Sequence, residues 1–264
     1  MSKIDGKTVW ITGASSGIGE ALAYQLAAKN CRLILSARRK ERLKEVKKNC
    51  TNQNHIHILP FDITDFKSMP LLVKKAIIAT EKIDVLVNNA GISQRSLIAD
   101  TNFSVYQKMI DVDYLGTIAL TKALLPHFIK NKMGHFVTVS SLMGKFSSPY
   151  RSGYCGAKHA LHGFFDALRM EHEKDLIDVT MICPGFVNTN IAKKALTADG
   201  SPQGVNDEAT ANGITVNKLC SLMISAIEKK KYEAYIGGKE TKGVFVKRLF
   251  PKLLHKLVLK SDVT

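Results

Sequence analysis

The 264-residue sequence has no apolar run approaching the roughly 20 residues that a membrane-spanning helix needs. Its five cysteines, Cys31, Cys50, Cys155, Cys183 and Cys220, are an odd number and form no CxxC pair. They read as reduced thiols, which argues against a disulfide framework. Acidic residues are scarce: 23 Asp and Glu stand against 38 Lys and Arg, a net charge of +15. Such an excess suits either an acidic partner or a surface tuned for an anionic cofactor. Residues 239–260 alone hold seven Lys/Arg against one Glu, a local +6 that leaves +9 for the rest. Repeats and low-complexity stretches are missing, and Met1-Ser2-Lys3-Ile4-Asp5-Gly6-Lys7 has no apolar signal region, so a cytoplasmic location is expected. What remains is 45 % hydrophobic residues, enough for the core of one large α/β domain spanning 1–264.

Apolar runs and helical periodicities alternate along the chain. Strands are predicted at Val9-Trp10-Ile11, 32–36, 55–59, 83–87, 135–139, 178–183 and 232–236. Helices are expected between them, at 41–48, 66–79, 103–130, 154–174 and 215–229, the long one interrupted near Asp111 to Gly116 and at Pro126. This order is that of a parallel sheet with helices on both faces, a doubly wound α/β fold. Residues 190–213, rich in Gly, Ala, Thr and Asn, predict a substrate loop, with room for a short helix.

The first strand runs into Thr12-Gly13-Ala14-Ser15-Ser16-Gly17-Ile18-Gly19 and then into a helix. A strand, a glycine-rich turn and a helix make a phosphate cradle. Gly13 permits the turn, Gly17 removes a Cβ from the path of a pyrophosphate, and Gly19 allows close packing of the helix. The anion then meets free N–H groups at the positive end of the helix. After the second strand comes Ser36-Ala37-Arg38-Arg39-Lys40, with no acid. An NAD site usually carries an acidic residue there, whereas a 2′-phosphate wants a cation. Arg38 and Arg39 also stand at a helix start, where the macrodipole disfavours positive charge unless a phosphate is bound. NADP(H) is therefore expected over NAD(H). Asp62 suits either a hydrogen bond from an adenine amino group or a helix cap, and Asn88-Asn89-Ala90-Gly91 suits either backbone lying against a ribose or a plain turn.

Tyr154 and Lys158 are four apart, one turn from each other on a helix face, and Ser141 lies at the mouth of the fifth strand. A phenol with a pKa of about 10 is a poor base, and a neighbouring ammonium brings it closer to the working range. Opposite a hydride donor, such a phenol has a use as proton donor.

Taken together, Thr12 to Gly19, Asp62, Asn88 to Gly91, Ser141, Tyr154 with Lys158, and Pro184-Gly185-Phe186-Val187-Asn188-Thr189 resemble the short-chain dehydrogenase/reductase superfamily over residues 5 to about 190. The resemblance implies a single Rossmann-like domain with a seven-stranded sheet, and an NAD(P)(H)-dependent oxidoreductase acting on a carbonyl/alcohol pair. It implies Tyr154 as general acid/base, Ser141 as substrate orienter, and Lys158 as tuner of the phenol and holder of the nicotinamide ribose. The cofactor would be held by Gly13, Ser15, Ser16, Gly17, Ile18 and Gly19 in the turn, by Arg38, Arg39, Asp62 and Ile63, by Asn89, Ala90 and Gly91, and by Tyr154 and Lys158. Pro184, Gly185, Val187 and Thr189 would flank the carboxamide. The long helices at 103–130 and 154–174 carry apolar stripes whose outer faces, by analogy, pack in a homodimer or homotetramer. The subgroup it looks most like reduces lipophilic carbonyls.

One position departs from the family pattern. Where relatives carry Asn in a segment resembling Val-Asn-Tyr-Leu-Gly, this chain reads Val112-Asp113-Tyr114-Leu115-Gly116. An ionised Asp113 accepts hydrogen bonds but donates none, and it offsets the Lys158 charge, pushing the Tyr154 pKa upward. The expectation is an NADP(H)-dependent enzyme with a more alkaline optimum or lowered rate. The alternative is a catalytically weak or inactive NADP-binding regulatory protein.

Other features are expected to be structural. His159 and His162 read as surface histidines without the further ligands of a metal site, and Cys155 as a packed thiol. In the tail, 239–264, apolar Leu249, Phe250, Leu253, Leu254 and Leu257 alternate with basic residues, and Pro251 suits the first turn of a short helix. Such a helix can lie on an anionic bilayer or pack on the domain and close the substrate pocket. Packing is preferred, because surface helices are ordinarily amphipathic. Nucleic-acid binding rests on net charge alone and is not expected.

Overall fold

Seven strands form one parallel sheet in the order β3-β2-β1-β4-β5-β6-β7. The structure is a computed structural model and describes residues 4–261; residues 1–3 and the end of the basic tail, 262–264, lie outside the described residues. The strands are β1 (Thr8–Thr12), β2 (Arg32–Ser36), β3 (Ile56–Ile58), β4 (Val85–Asn88), β5 (Gly134–Val139), β6 (Ile177–Pro184) and β7 (Glu233–Ile236). Chain order reverses beside β1, which pairs with β2 on one side and β4 on the other. At that switch point the loops above neighbouring strands diverge and leave a crevice outside their carboxyl ends.

Two-residue alternation sorts the strand side chains between two cores. Val9, Ile11, Leu33 and Leu35 face one side, against α1 (Gly17–Ala27), α2 (Lys40–Asn49) and α8 (Val216–Glu228). Trp10, Ile34, Leu86 and Phe136 face the other, against α3 (Met69–Thr80), α5 (Gly116–Asn131) and α6 (Ser152–Glu171). Trp10 is fully buried in the second core, and its indole N–H donates to Ser36 Oγ at 2.8 Å, so its polar atom is satisfied.

Three expectations are corrected. The interruption expected near Asp111 is there but is not a break: α4 (Phe103–Ile110) continues through one π-helical turn at Asp111–Leu115 directly into α5. The wider turn absorbs a register change while keeping the chain helical. Pro126 does not interrupt α5, because Leu124 and Phe128 on either side are locked in the core, which outweighs one lost hydrogen bond. The helix predicted from Phe66 begins as a 3-10 turn, Phe66–Ser68, and becomes α3 only at Met69. Within 190–213 the regular element is a single turn, α7 (Glu208–Ala211). The tail folds into a 3-10 turn at Lys239–Lys242, α9 (Gly243–Leu249) and α10 (Pro251–Lys260).

The centre of the sheet carries a titratable group. His135 on β5 is buried and lies 2.8 Å from Thr180 Oγ1 of β6. Burial lowers its pKa to about 4, against the opposing charge of Asp178. The unfolded chain therefore binds a proton between pH 6.5 and 4 that the native state refuses, so stability falls as pH falls through that window. Between pH 7.5 and pH 5 this one group should cost about 2 kcal/mol. Urea unfolding midpoints of wild type and His135→Gln at the two pH values measure it: the variant should lose less stability on acidification by about that amount.

Candidate active site

The ends of β1 and β4 are stapled by one hydroxyl. Thr12 Oγ1 donates to Val87 O at 3.3 Å and accepts from the backbone N–H groups of Asn89 (2.9 Å) and Ala90 (3.0 Å). Asn89 returns its side-chain amide to Thr12 O at 3.0 Å, so that amide is committed to holding the turn. Gly13 has a φ of +66°, and a Cβ there would lie 2.9 Å from Ala90 Cα. Gly19 is required by closeness instead: its Cβ would stand 2.5 Å from Gly13 O. The turn is thereby pressed between α1 and β4. Ser16, at the N-cap of α1, makes no side-chain cap, which leaves the first-turn amides available to an anion.

Cations border this turn. Arg39 donates to Ser15 O (3.2 Å), Ser15 Oγ (2.9 Å) and Ser16 Oγ (3.2 Å), clasping the glycine turn from the α2 side. Arg38 is 72 % exposed and 3.8 Å from Asp62, close enough for attraction and too exposed for a strong pair. Asp62 itself accepts from Thr64 N (3.0 Å) and Thr64 Oγ1 (2.8 Å). Burial works against its charge, but these donors and Arg38 outweigh it and hold the carboxyl below its ordinary range. Lys194 reaches the same rim from the 190–213 segment. Its partial burial and the charges of Arg39 and Arg42 push its pKa down.

At the other side of β4 lies the reactive cluster. Ser141 follows β5; its hydroxyl accepts from Met143 N at 3.1 Å and donates to Pro184 O at 3.5 Å. Tyr154 lies in the first turn of α6 and Lys158 one turn later, with the ammonium 5.5 Å from the Tyr154 ring centroid. The π-turn puts Asp113 beneath them. Its Oδ2 is 3.3 Å from Lys158 Nζ and its Oδ1 accepts from Ile92 N at 2.8 Å, while Lys158 also donates to Val139 O at 3.2 Å. Asp113 is 0 % exposed.

Burial raises the Asp113 pKa, opposed by Lys158 and the Ile92 amide. Burial disfavours the Lys158 ammonium, yet Asp113 and Tyr154 outweigh it and raise its pKa. For Tyr154, burial raises the pKa, Lys158 lowers it, Asp113 raises it, and Ser141 lowers it through a hydrogen bond, with a net rise.

One cavity of about 1070 Å³ joins the two regions. Gly13, Ser15, Ser16, Gly17, Ile18, Arg38, Arg39, Asp62 and Ile63 line its first part. Asn89, Ala90, Gly91, Ser141, Tyr154 and Lys158 line the middle, with Pro184, Gly185, Val187 and Thr189 along one wall. Gly19 and Asp113 are not at its surface: they lie behind Gly13 and Lys158. The far wall is apolar, built by Phe146, Val246, Leu254, Leu257 and Val258. The space, the glycine turn and its cationic rim fit a dinucleotide, and Tyr154 and the buried Lys158 line its middle.

Sequence reasoning missed the supports. Gln94 Oε1 accepts from Gly153 N at 2.7 Å and so fixes the start of α6. Asp207 Oδ2 is 2.5 Å from Arg95 Nη2 and 3.3 Å from Arg151 Nη2, which fastens the 190–213 segment to the cavity rim. Residues 112 and 56 positions apart carry no shared periodicity, so no local signal could join them. His162 is also corrected: it is buried, with Nε2 3.0 Å from Ser140 Oγ and Nδ1 3.2 Å from Glu233 of β7. It lies four residues after Lys158, on the face that α6 turns to the sheet, while His159 is exposed.

Residues 7–200 match the family model described as short chain dehydrogenase. Dehydrogenase/reductase SDR family member 7B of Xenopus laevis is 38 % identical over 97 % of this chain and 81 % of its own length. The human dehydrogenase/reductase SDR family member 7 is 43 % identical over 86 % of this chain and 69 % of its own. Among solved structures, a short-chain dehydrogenase from Streptomyces avermitilis superposes with a TM-score of 0.81 at 25 % identity, covering 98 % of this chain and all of that one. The cavity, the Rossmann-like sheet above which it opens and these likenesses agree: the chain belongs to the short-chain dehydrogenase family, oxidoreductases that use a nicotinamide cofactor.

Proposed function

We propose that this protein is an NADP(H)-dependent oxidoreductase that reduces a carbonyl, or oxidises the matching alcohol, on a lipophilic or medium-sized substrate. The observation that carries this reading is one continuous cavity with a cationic rim at Arg38 and Arg39, the Ser141, Tyr154 and Lys158 heads in its middle, and an apolar wall beyond them. The nicotinamide, when bound, supplies or takes up the hydride. Everything else falls to the chain.

The glycine turn and the α1 amides hold the pyrophosphate. Arg38, free to move and weakly paired, turns its guanidinium to a 2′-phosphate, while Arg39 keeps the turn closed around Ser15 and Ser16. Ser141 orients the substrate oxygen. Tyr154 gives its proton to that oxygen in reduction and removes it in oxidation. Lys158 stabilises the phenolate, and Asp113 holds the lysine charged while making the phenolate harder to form. The apolar wall favours a hydrophobic substrate body, because polar groups placed there lose hydration without gaining partners.

Three outcomes follow. Tyr154→Phe should reduce kcat in an NADPH-oxidation assay against aldehydes, ketosteroids and retinal by about 10²- to 10⁴-fold with cofactor binding retained; an unchanged rate would leave an NADP-binding protein without this chemistry. Arg38→Ala should raise KM for NADPH by about tenfold or more and leave that for NADH nearly unchanged. In the alcohol-oxidation direction the phenol must be ionised, so activity rises with pH. Asp113→Asn removes the carboxylate that raises the phenol pKa, and the rising limb should move to lower pH. A pH–rate profile of both proteins reads the shift, and coincident limbs would refute the electrostatic role of Asp113.

A further inference from the structure

The two helices that close the chain are only half used by the domain. Leu254 is buried and Val258 half-buried, and both pack toward Phe146 with a cavity on either side of them, the large one and a second of about 280 Å³. Val244 and Val246 of α9 are half-buried against the same core, while other, larger apolar side chains are exposed. Phe245 is 62 % exposed, Leu249 69 %, Phe250 61 %, Leu253 48 % and Leu257 49 %. These are not scattered. Leu249, Leu253 and Leu257 are each four residues apart, and Lys252, Lys256 and Lys260 follow each of them by three. On α10 this spacing sets Lys256 and Lys260 along the edge of Leu253 and Leu257, and Leu249 ends α9 just before it. Arg248 and Lys247 add to it, and residues 243–260 contain no acidic side chain.

We infer that α9 and α10 form a docking element for the surface of an anionic phospholipid bilayer. The exposed leucines and phenylalanines enter the acyl–headgroup boundary, and the lysines reach back along their own stems to the lipid phosphates. Charge decides between this occupant and a second copy of the chain. Two copies of this face would bring together six Lys, Arg and His side chains on each with no acid between them, whereas an anionic membrane offers the complementary field. Leu257 belongs to both surfaces: it lines the large cavity and is half exposed on the docking row. The cavity therefore reaches its boundary at the lipid side of α10. Docking does not depend on the reading under Proposed function. Its consequence does: if that cavity is the substrate pocket, the carbonyl compound is one dissolved in the bilayer and enters beside α10.

Sedimentation with vesicles of 70 % phosphatidylcholine and 30 % phosphatidylserine, compared with phosphatidylcholine alone, tests it. Wild type should pellet with the anionic vesicles, weakly with the neutral ones, and less as salt rises from 0.1 to 0.5 M. Leu249→Glu with Leu253→Glu, and separately Lys252→Glu with Lys256→Glu, should each weaken binding by about tenfold or more. None of these four side chains lines either cavity except at their helix neighbours, so thermal melting and NADPH titration should match wild type. Equal pelleting of all three proteins, or no pelleting of wild type, overturns the inference. So does a wild-type dimer in analytical ultracentrifugation that Leu249→Glu with Leu253→Glu turns into monomer, because a second copy would then cover the face. A wild type that pellets but does not bind NADPH would sink the proposed cofactor and leave the docking intact.

Discussion

A single ion pair sealed from water sets the chemistry of the cavity. Lys158 and Asp113 lie 3.3 Å apart with almost no exposed surface between them. Neither charge is affordable there alone, and each makes the other tolerable. The pair gives the phenol of Tyr154 one favourable and one unfavourable neighbour, so the proton on that oxygen is governed by a balance between the two. A residue that cannot ionise at position 113 would leave the ammonium unopposed and the phenol easier to ionise.

Holding that pair in place takes much of the fold. Asp113 rides on a π-turn between α4 and α5, Lys158 on α6, and the Ile92 amide that secures the carboxylate comes from the segment after β4. Gln94 fixes the start of α6, and the Thr12 hydroxyl fixes the path of the chain leaving β4. These supports are hydrogen bonds between segments far apart in the sequence. They give the carboxyl ends of the strands a rigid floor, as the proposed proton transfer would need, because misplacement of reacting groups is costly.

The opposite wall is built on a different principle. Asp207 joins Arg95 and Arg151 to anchor the loop that follows β6, and the far wall comes from the last helices, which meet the domain through Val244, Val246, Leu254 and Val258. Rigid polar anchoring near Tyr154 and Lys158 and an apolar far end agree with the proposed substrate, held at one oxygen and loosely along the rest.

The doubly wound fold, the glycine turn and the Ser141, Tyr154 and Lys158 set were legible in the residues, because each depends on spacing within one strand–helix unit. Two-residue alternation made the strands visible, and a four-residue gap put Tyr154 beside Lys158. The continuity of the chain through Asp111–Leu115 was not legible, because a π-turn has no composition of its own and only the packing of α4 and α5 calls for it. The burial of His162 against Glu233 was hidden for a related reason: its partner arrives from β7, far along the chain. What the sequence determined by itself was the order of elements and the chemistry each strand end carries, since both follow from local periodicity and residue type. Only the tertiary structure decided that the Asp113–Lys158 pair is sealed from water, that Asp207 clamps two arginines, and that α10 serves the cavity with one side and leaves the other exposed, because those relations arise where distant segments meet and exclude water.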